Sequence, residues 1–305
     1  MAVSEGRRRR YSLLTRRDKL VLALMVGIPV FFDLALIWGP TIVSILLSFT
    51  NWKGIGGISA SNIVGLKNYE SLFTVYPFFW SALRNNLLWL VFFLVIATPL
   101  GMFLAVLLDR EIRGSRLYQT AFYLPVVLSL AVVGFIWELQ YAPEQGFINN
   151  VLGRTGQGSL IDWLGDPSLN IWAVLVAASW RHVGYIMVLY LAGLKSVDPV
   201  LREAAAIDGA NARQTFFRVV FPVMQPINIV IVVVTMIESL RAFDIAYIIN
   251  RGKNGLELLS TLITNNSISE ANLVGFGSAI AVVLLVISLG PIVIYLTRML
   301  REEAT

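Results

Sequence analysis

The 305-residue sequence contains no cysteine and a single histidine, His182. That excludes disulfides, thiolate metal sites and cysteine nucleophiles, and it leaves a histidine-based metal centre without enough ligands. Charge is scarce too: Asp, Glu, Lys and Arg make up 14% of the chain, against roughly 25% in a soluble globular domain. So little charge does not cover a water-facing surface. Apolar residues are abundant instead, at 57%, and the mean hydropathy is +0.73. Lipid must be much of this chain's solvent.

The net charge of +5 does not point to nucleic acid, because of where the charge sits. Arg7 to Arg10, Arg16, Arg17 and Lys19 all precede the first apolar run, the pattern that holds an N-terminus in the cytoplasm. A removable signal peptide is the competing reading, but the run that follows is far longer than an apolar core of about 7–15 residues. We expect a retained span after a basic tail over residues 1–19.

Six runs are long enough to cross a bilayer core, which takes about 20 apolar residues: 20–49, 87–108, 117–139, 171–194, 219–240 and 273–297. They predict an all-α integral membrane protein of six transmembrane helices in the cell membrane. With the N-terminus inside, the cytoplasmic parts are the tail, 109–116, the loop 195–218 and a C-terminal tail at 298–305. These carry 16 of the 24 Lys and Arg residues although the outer segments are longer. Both termini are therefore expected in the cytoplasm.

The loop 195–218 is explicit about its own shape. Asp198 before Pro199 reads as a capped helix start with proline in the first turn. The helix runs on through Leu201, Arg202, Glu203 and Ala204 to Ala206, and Gly209 ends or bends it. Asn211 and Gln214 have capping-box spacing for a second helix, which carries Phe216 and Phe217 towards the next span. An amphipathic helix lying on lipid headgroups is the plain alternative. Against it stand the mixed charge and the small residues of the first half.

Glu203-Ala204-Ala205, three residues, Gly209, nine residues, then Val219-x-Phe221-Pro222 resembles the EAA loop of binding-protein-dependent ABC importers, with Val219 and Phe221 in place of Ile and Leu. Ser48 to Trp52, Gly65 to Tyr69, Leu124-Pro125, Gly134-x-x-Trp137, Gly146-x-x-Asn149 and Ala192 to Ser196 are similar to signatures of the carbohydrate-uptake branch, in the manner of the larger-type permease of maltose-like systems. That branch usually shows a Thr-x-Gly-Gly-Pro turn after Phe243-Asp244; here Ile249 to Gly255 reads INRGKNG. The resemblance implies a type I ABC importer permease fold and a coupling helix seated in a groove of an ATPase subunit. Coupling would then fall to Glu203 as anchor, Ala204 and Ala205 as the close-contact face, Gly209 as the joint, and Asp208, Arg213, Phe216 and Phe217 around them. The implied partners are a second permease, two cytoplasmic ATPases holding ATP and Mg, and an exterior solute-binding protein.

The chain offers no nucleotide chemistry of its own. Gly153 to Ser159 has two glycines at phosphate-loop spacing, but Ser159 stands where lysine is needed. Ionisable residues inside spans are costly and mark candidate transport paths. Arg181 and Glu238 fall at comparable depth with opposite sign, and Arg241 and Asp244 follow Glu238 at i+3 steps on one helical face. With His182, Tyr185, Trp137, Gln140 and Tyr141 they form a candidate path for a sugar, whose CH faces stack on rings and whose hydroxyls need polar partners. The alternative for Trp137 and Tyr141 is an interfacial belt, and for Arg181 and Glu238 a structural pair. Asp33 is expected to face the other helices. A secondary transporter or a membrane-embedded enzyme leaves the EAA loop unexplained; glycerol-phosphate or another polyol is the alternative substrate, although a phosphate calls for more positive charge than Arg181 and Arg241 supply.

Overall fold

The computed structural model describes residues 15–303 apart from 111, 157, 270 and 271. The arginine run 7–10, most of the expected basic tail, and the last two residues lie outside the described residues. Among those described there is no strand, only an isolated bridge between Thr50 and Ile63. Four helices are long and apolar enough to cross a membrane. They are α1 (Arg17–Leu47), α3 (Phe78–Asp109), α6 (Asn170–Ser196) and α12 (Val274–Glu303). The short α2 (Lys67–Thr74) lies between the first two. The runs at 20–49, 171–194 and 273–297 match these helices closely, whereas α3 begins nine residues before the run at 87–108. Its first turns, with Asn85 and Asn86, are too polar for a hydropathy window.

The other two runs are not straight. Residues 117–139 are divided into α4 (Ser115–Val127) and α5 (Leu130–Tyr141), which meet at 101°. Ser129 makes the break: its backbone is extended (ψ 148°) and its hydroxyl caps Val132 N–H at 3.3 Å. A serine that begins a new helix turns the chain without interrupting its apolarity. The expected span 219–240 likewise resolves into α8 (Ala212–Val223), a 77° bend at Met224, and α9 (Gln225–Leu240), with α10 (Asp244–Asn250) continuing beyond a short break. The span proper begins at Gln225, six residues later than the apolar run. Taken as one span each, the bent pairs bring the number to six.

Three prolines have a common effect. Pro40, Pro99 and Pro222 each stand two residues after a π-helical turn, at Leu34–Trp38, Phe93–Ala97 and Phe216–Val220. In each case the residue just before the proline donates its N–H five residues back: Gly39 to Leu34, Thr98 to Phe93, Phe221 to Phe216. A proline ring clashes with the carbonyl four residues earlier, and one widened turn relieves the clash.

The packing centres on α6, more than half of whose residues are buried. It touches α4 so closely that a Cβ on Gly184 would lie 2.2 Å from the Phe122 carbonyl oxygen, a contact only glycine permits. Trp89, Phe93, Val174, Leu175, Ile245 and Leu258 form the core of one half of the bundle, and Ala105, Ile186, Met187, Leu194, Val220 and Ile231 that of the other. The α1 helix stands apart. The most apolar stretch of α1 has no buried residue, and Asp33, expected to face the bundle, is exposed in this chain. Only the end of α1 packs, against α12.

Candidate functional site

Between α3, α6, α9 and α10 lies a cavity of about 420 Å³. Its walls include Trp89 and Phe93 from α3, Arg181 and His182 from α6, and Glu238, Arg241, Phe243 and Asp244 from the α9–α10 region. Five of the nine residues predicted for the path are thus brought together: Arg181, His182, Glu238, Arg241 and Asp244. The equal depth inferred for Arg181 and Glu238 is matched by a 3.9 Å contact between Nη1 and Oε1.

His182 organises this polar wall. It is buried, its ring lies 4.3 Å from that of Phe93, and Nδ1 is 3.0 Å from Glu238 Oε2. An ionised carboxylate only accepts, so Nδ1 carries the proton. Thr235 lies 3.4 Å from Nε2, and Thr98, on α3, lies 3.3 Å from the Thr235 hydroxyl. The result is a hydrogen-bonded chain, Thr98, Thr235, His182 and Glu238, that crosses three helices. It holds Glu238 at the cavity wall and leaves its other oxygen towards Arg181. Two guanidinium groups thus face two carboxylates, and the wall is balanced in formal charge.

The remaining path residues lie elsewhere. Tyr141 is buried in the core, donates its hydroxyl to the Ala173 carbonyl at 3.0 Å and packs on Trp137 and Trp163. Trp137 also meets Trp180 edge-on at 5.9 Å, so the rings run from the core at Tyr141 out to an exposed Trp180. Tyr185 packs into the other half's core, and Gln140 is half-buried away from the cavity walls. Sequence reasoning missed Trp89 and Phe93. Trp89 is 1% exposed and its indole N–H has no acceptor, which is unusual for a buried donor beside a cavity. Nothing in an apolar run distinguishes such a ring from lipid-facing ones.

The second candidate is the loop 195–218. Its first helix, α7 (Pro199–Ile207), starts as expected: Asp198 accepts from Val200 N–H at 2.9 Å and Pro199 occupies the first turn. It ends in a reciprocal cap, with Gly209 N–H to the Ala206 carbonyl at 3.1 Å and Ala210 N–H to that of Ala205 at 3.0 Å. Gly209 has φ +76°, the left-handed value this cap requires. Asn211 and Gln214 then form the capping box, both bonds at 2.9 Å, that opens α8.

Glu203, Ala204, Asp208, Gly209, Arg213 and Phe217 are exposed on this hairpin, while Phe216 is half-buried under it. Ala205 is turned inward, at 7% exposure, and Ala204 outward, and both line the groove between α7 and α8. Ile207, which the sequence reading passed over, is 87% exposed beside them. A groove of about 460 Å³ runs between α7 and α8, lined by Leu201, Ala204, Asp208, Gln214 and Arg218 among others. Gly153 to Gly156, Gly158 and Ser159, by contrast, lie in turns and irregular chain, and the next helix among the described residues begins at Asn170.

Residues 97–303 match the family model described as the binding-protein-dependent transport system inner membrane component. The chain is 34% identical over 276 residues to a probable ABC transporter permease of Pyrococcus horikoshii, covering 90% of this chain and 91% of that protein. It is 36% identical over 273 residues to a xylose/arabinose import permease of Haloferax volcanii, covering 88% and 85%. Its fold resembles a chain of a bacterial ABC transporter for alginate import, with a TM-score of 0.78, 22% identity and 93% and 96% coverage. The hairpin of α7 and α8, the bundle around α6 and these matches agree: the chain belongs to the inner membrane component family of binding-protein-dependent ABC importers, as a multi-pass permease of the cell membrane.

Proposed function

We propose that the chain is the permease subunit through which a neutral sugar enters the cell. It would pair with a second permease, receive the sugar from an exterior solute-binding protein and be driven by two cytoplasmic ATPases that hold ATP and Mg. The observation that carries the substrate class is the charge-balanced cavity with an unpaired indole donor on its aromatic wall. Paired carboxylates and guanidiniums suit hydroxyl groups, and the rings of Trp89 and Phe93 suit CH faces. A phosphate or a polyanion would find Arg181 already engaged by Glu238. The xylose and arabinose named for the relative from Haloferax volcanii make pentoses the first sugars to try.

In this reading both termini and the loop 195–218 are cytoplasmic. The loop is the coupling element: Glu203 is the anchor, Ala204 and Ala205 the close-contact face and Gly209 the joint, with Asp208, Arg213, Phe216 and Phe217 completing the hairpin. The test is sugar uptake and binding-protein-stimulated ATPase activity of the assembled complex in proteoliposomes. Wild type should take up a pentose with stimulated hydrolysis, and Glu203→Ala should assemble but lose at least nine-tenths of the stimulation. If Glu203→Ala keeps full stimulation and uptake, the coupling assignment fails. If a phosphorylated polyol, and no neutral sugar, is carried, the substrate assignment fails.

A further inference from the structure

The hairpin of α7 and α8 is joined covalently to α6 on one side and to α9 on the other. The α3 helix has no such connection, yet it supplies Trp89 and Phe93 to the cavity and Thr98 to the hydroxyl chain. It packs along α6, where Gly101 meets Ile186, and its Leu108 shares an apolar cluster with Val220 of the hairpin. One side chain adds a polar tie from α3 to α7. Arg202 Nη1 donates to Asp109 Oδ2 at 2.8 Å, and Nη2 donates to the Leu194 carbonyl at 2.9 Å. Asp109 is the last residue of α3, and Leu194 lies in the last turn of α6. Among the described residues, Arg202 makes every side-chain hydrogen bond by which α7 reaches another helix. A planar guanidinium suits this task, since its fork fixes two acceptors in one geometry. Asp109 is largely shielded, with 15% of its side chain exposed, whereas Arg202 is 37% exposed, so salt screens the pair in part.

We propose that the Arg202–Asp109 pair is the strut through which displacement of the coupling hairpin reaches α3 and, about 24 Å along it at 1.5 Å per residue, the wall of the cavity. This rests on the coupling role proposed above and adds a route to it. Arg202 and Asp109 are positioning residues: neither lines the cavity, and Asp109 does not belong to the hairpin. The strut keeps the far half of the cavity in register with the hairpin by adding a directional polar link to the apolar packing of α3 on α6.

The measurement is the number of ATP molecules hydrolysed per sugar imported, made on the complete complex in proteoliposomes. Arg202→Ala and Asp109→Ala should each cut uptake at least tenfold with basal ATPase activity within twofold of wild type, so the ratio rises by a similar factor. The double variant should be no worse than either single one. Arg202→Lys, which keeps one charge but not the fork, should fall between. A folding loss is separated from a lost strut by Asp109→Cys with Arg202→Cys, which meet no competing cysteine in this chain. A short reducible cross-linker should restore the ratio to within threefold of wild type, and reductant should abolish that rescue. Unchanged ratios in the single variants would overturn the proposal. So would uptake falling only in step with ATPase retention on the complex, or a cross-link that rescues nothing. Failure of the coupling reading itself is a different result, with Glu203→Ala still fully stimulated.

Discussion

At opposite ends of α9–α10 the chain makes two tight loops, and they differ in how far the rest of the bundle holds them. The loop that follows α10 has four left-handed residues within five positions: Arg251 (φ 58°), Gly252 (65°), Asn254 (55°) and Gly255 (87°). Asn250 caps it locally, accepting from the N–H groups of Gly252 and Lys253, and the rest of the bundle clamps it further. Asn170 of α6 donates to the carbonyls of Lys253 and Asn254, and Asn85 of α3 to those of Gly255 and Glu257. Asn86 bridges the Leu240 carbonyl and the Leu259 N–H just beyond the loop, at the start of the short helix α11 (Leu259–Thr264). All three asparagines are buried. The coupling hairpin has one left-handed residue, Gly209, and its caps come from its own side chains. A loop clamped by distant residues shares the rigidity of the bundle. A loop that satisfies its own backbone can shift as a unit, which a coupling element requires.

The sharpest way to break this comparison is Asn86→Ala. It leaves the Leu259 N–H and the Leu240 carbonyl without their partner in a buried site, at about 1–3 kcal/mol each. The unfolding temperature in detergent should fall by several degrees, and a change within one degree would mean the clamp is not what holds this region. Asn211→Ala on the hairpin should cost less, about 1 kcal/mol for a lost N-cap. That loss should appear as roughly fivefold faster hydrogen exchange over residues 212–215, with the global unfolding temperature unchanged. If the whole protein is destabilised instead, the hairpin is not the independent unit described. Smallest is Arg251→Gly. Removing a Cβ from a left-handed position should raise stability by at most about 1 kcal/mol, and any loss would show that the Arg251 side chain does more than the loop geometry requires.

The hairpin was readable because its instructions are local. Asp198, Pro199, Gly209, Asn211 and Gln214 each act within a few residues, and every one takes the place its chemistry prescribes. The depth of Arg181 and Glu238 followed from helix rise alone. Three features were not readable. The right-angle break at Ser129 escapes a hydropathy window, which measures how apolar a stretch is and not where it points. The clamped loop depends on asparagines 83 to 173 residues distant, which no local pattern links to it. Trp89 and Phe93 become cavity walls only through what packs opposite them, and Tyr141 is drawn into the core by the Ala173 carbonyl.

The proline-linked π turns have a consequence for how these helices tolerate length changes. Each wide turn takes up one residue beyond the α-helical count, so the face presented by every later residue is offset by roughly 100° from the one an uninterrupted α-helix of 3.6 residues per turn would present. In α3 the turn at Phe93–Ala97 sets the phase of Gly101, whose missing Cβ admits Ile186 of α6. Closing that turn as an ordinary helix with the sequence unchanged would rotate Gly101 away by this angle and bring a bulkier neighbour against α6. Deleting one residue there would instead close the ladder and keep the contacts of both halves in phase. The wide turn therefore works as a phase correction, letting a single continuous helix present one face to the cavity and another to its packing partner.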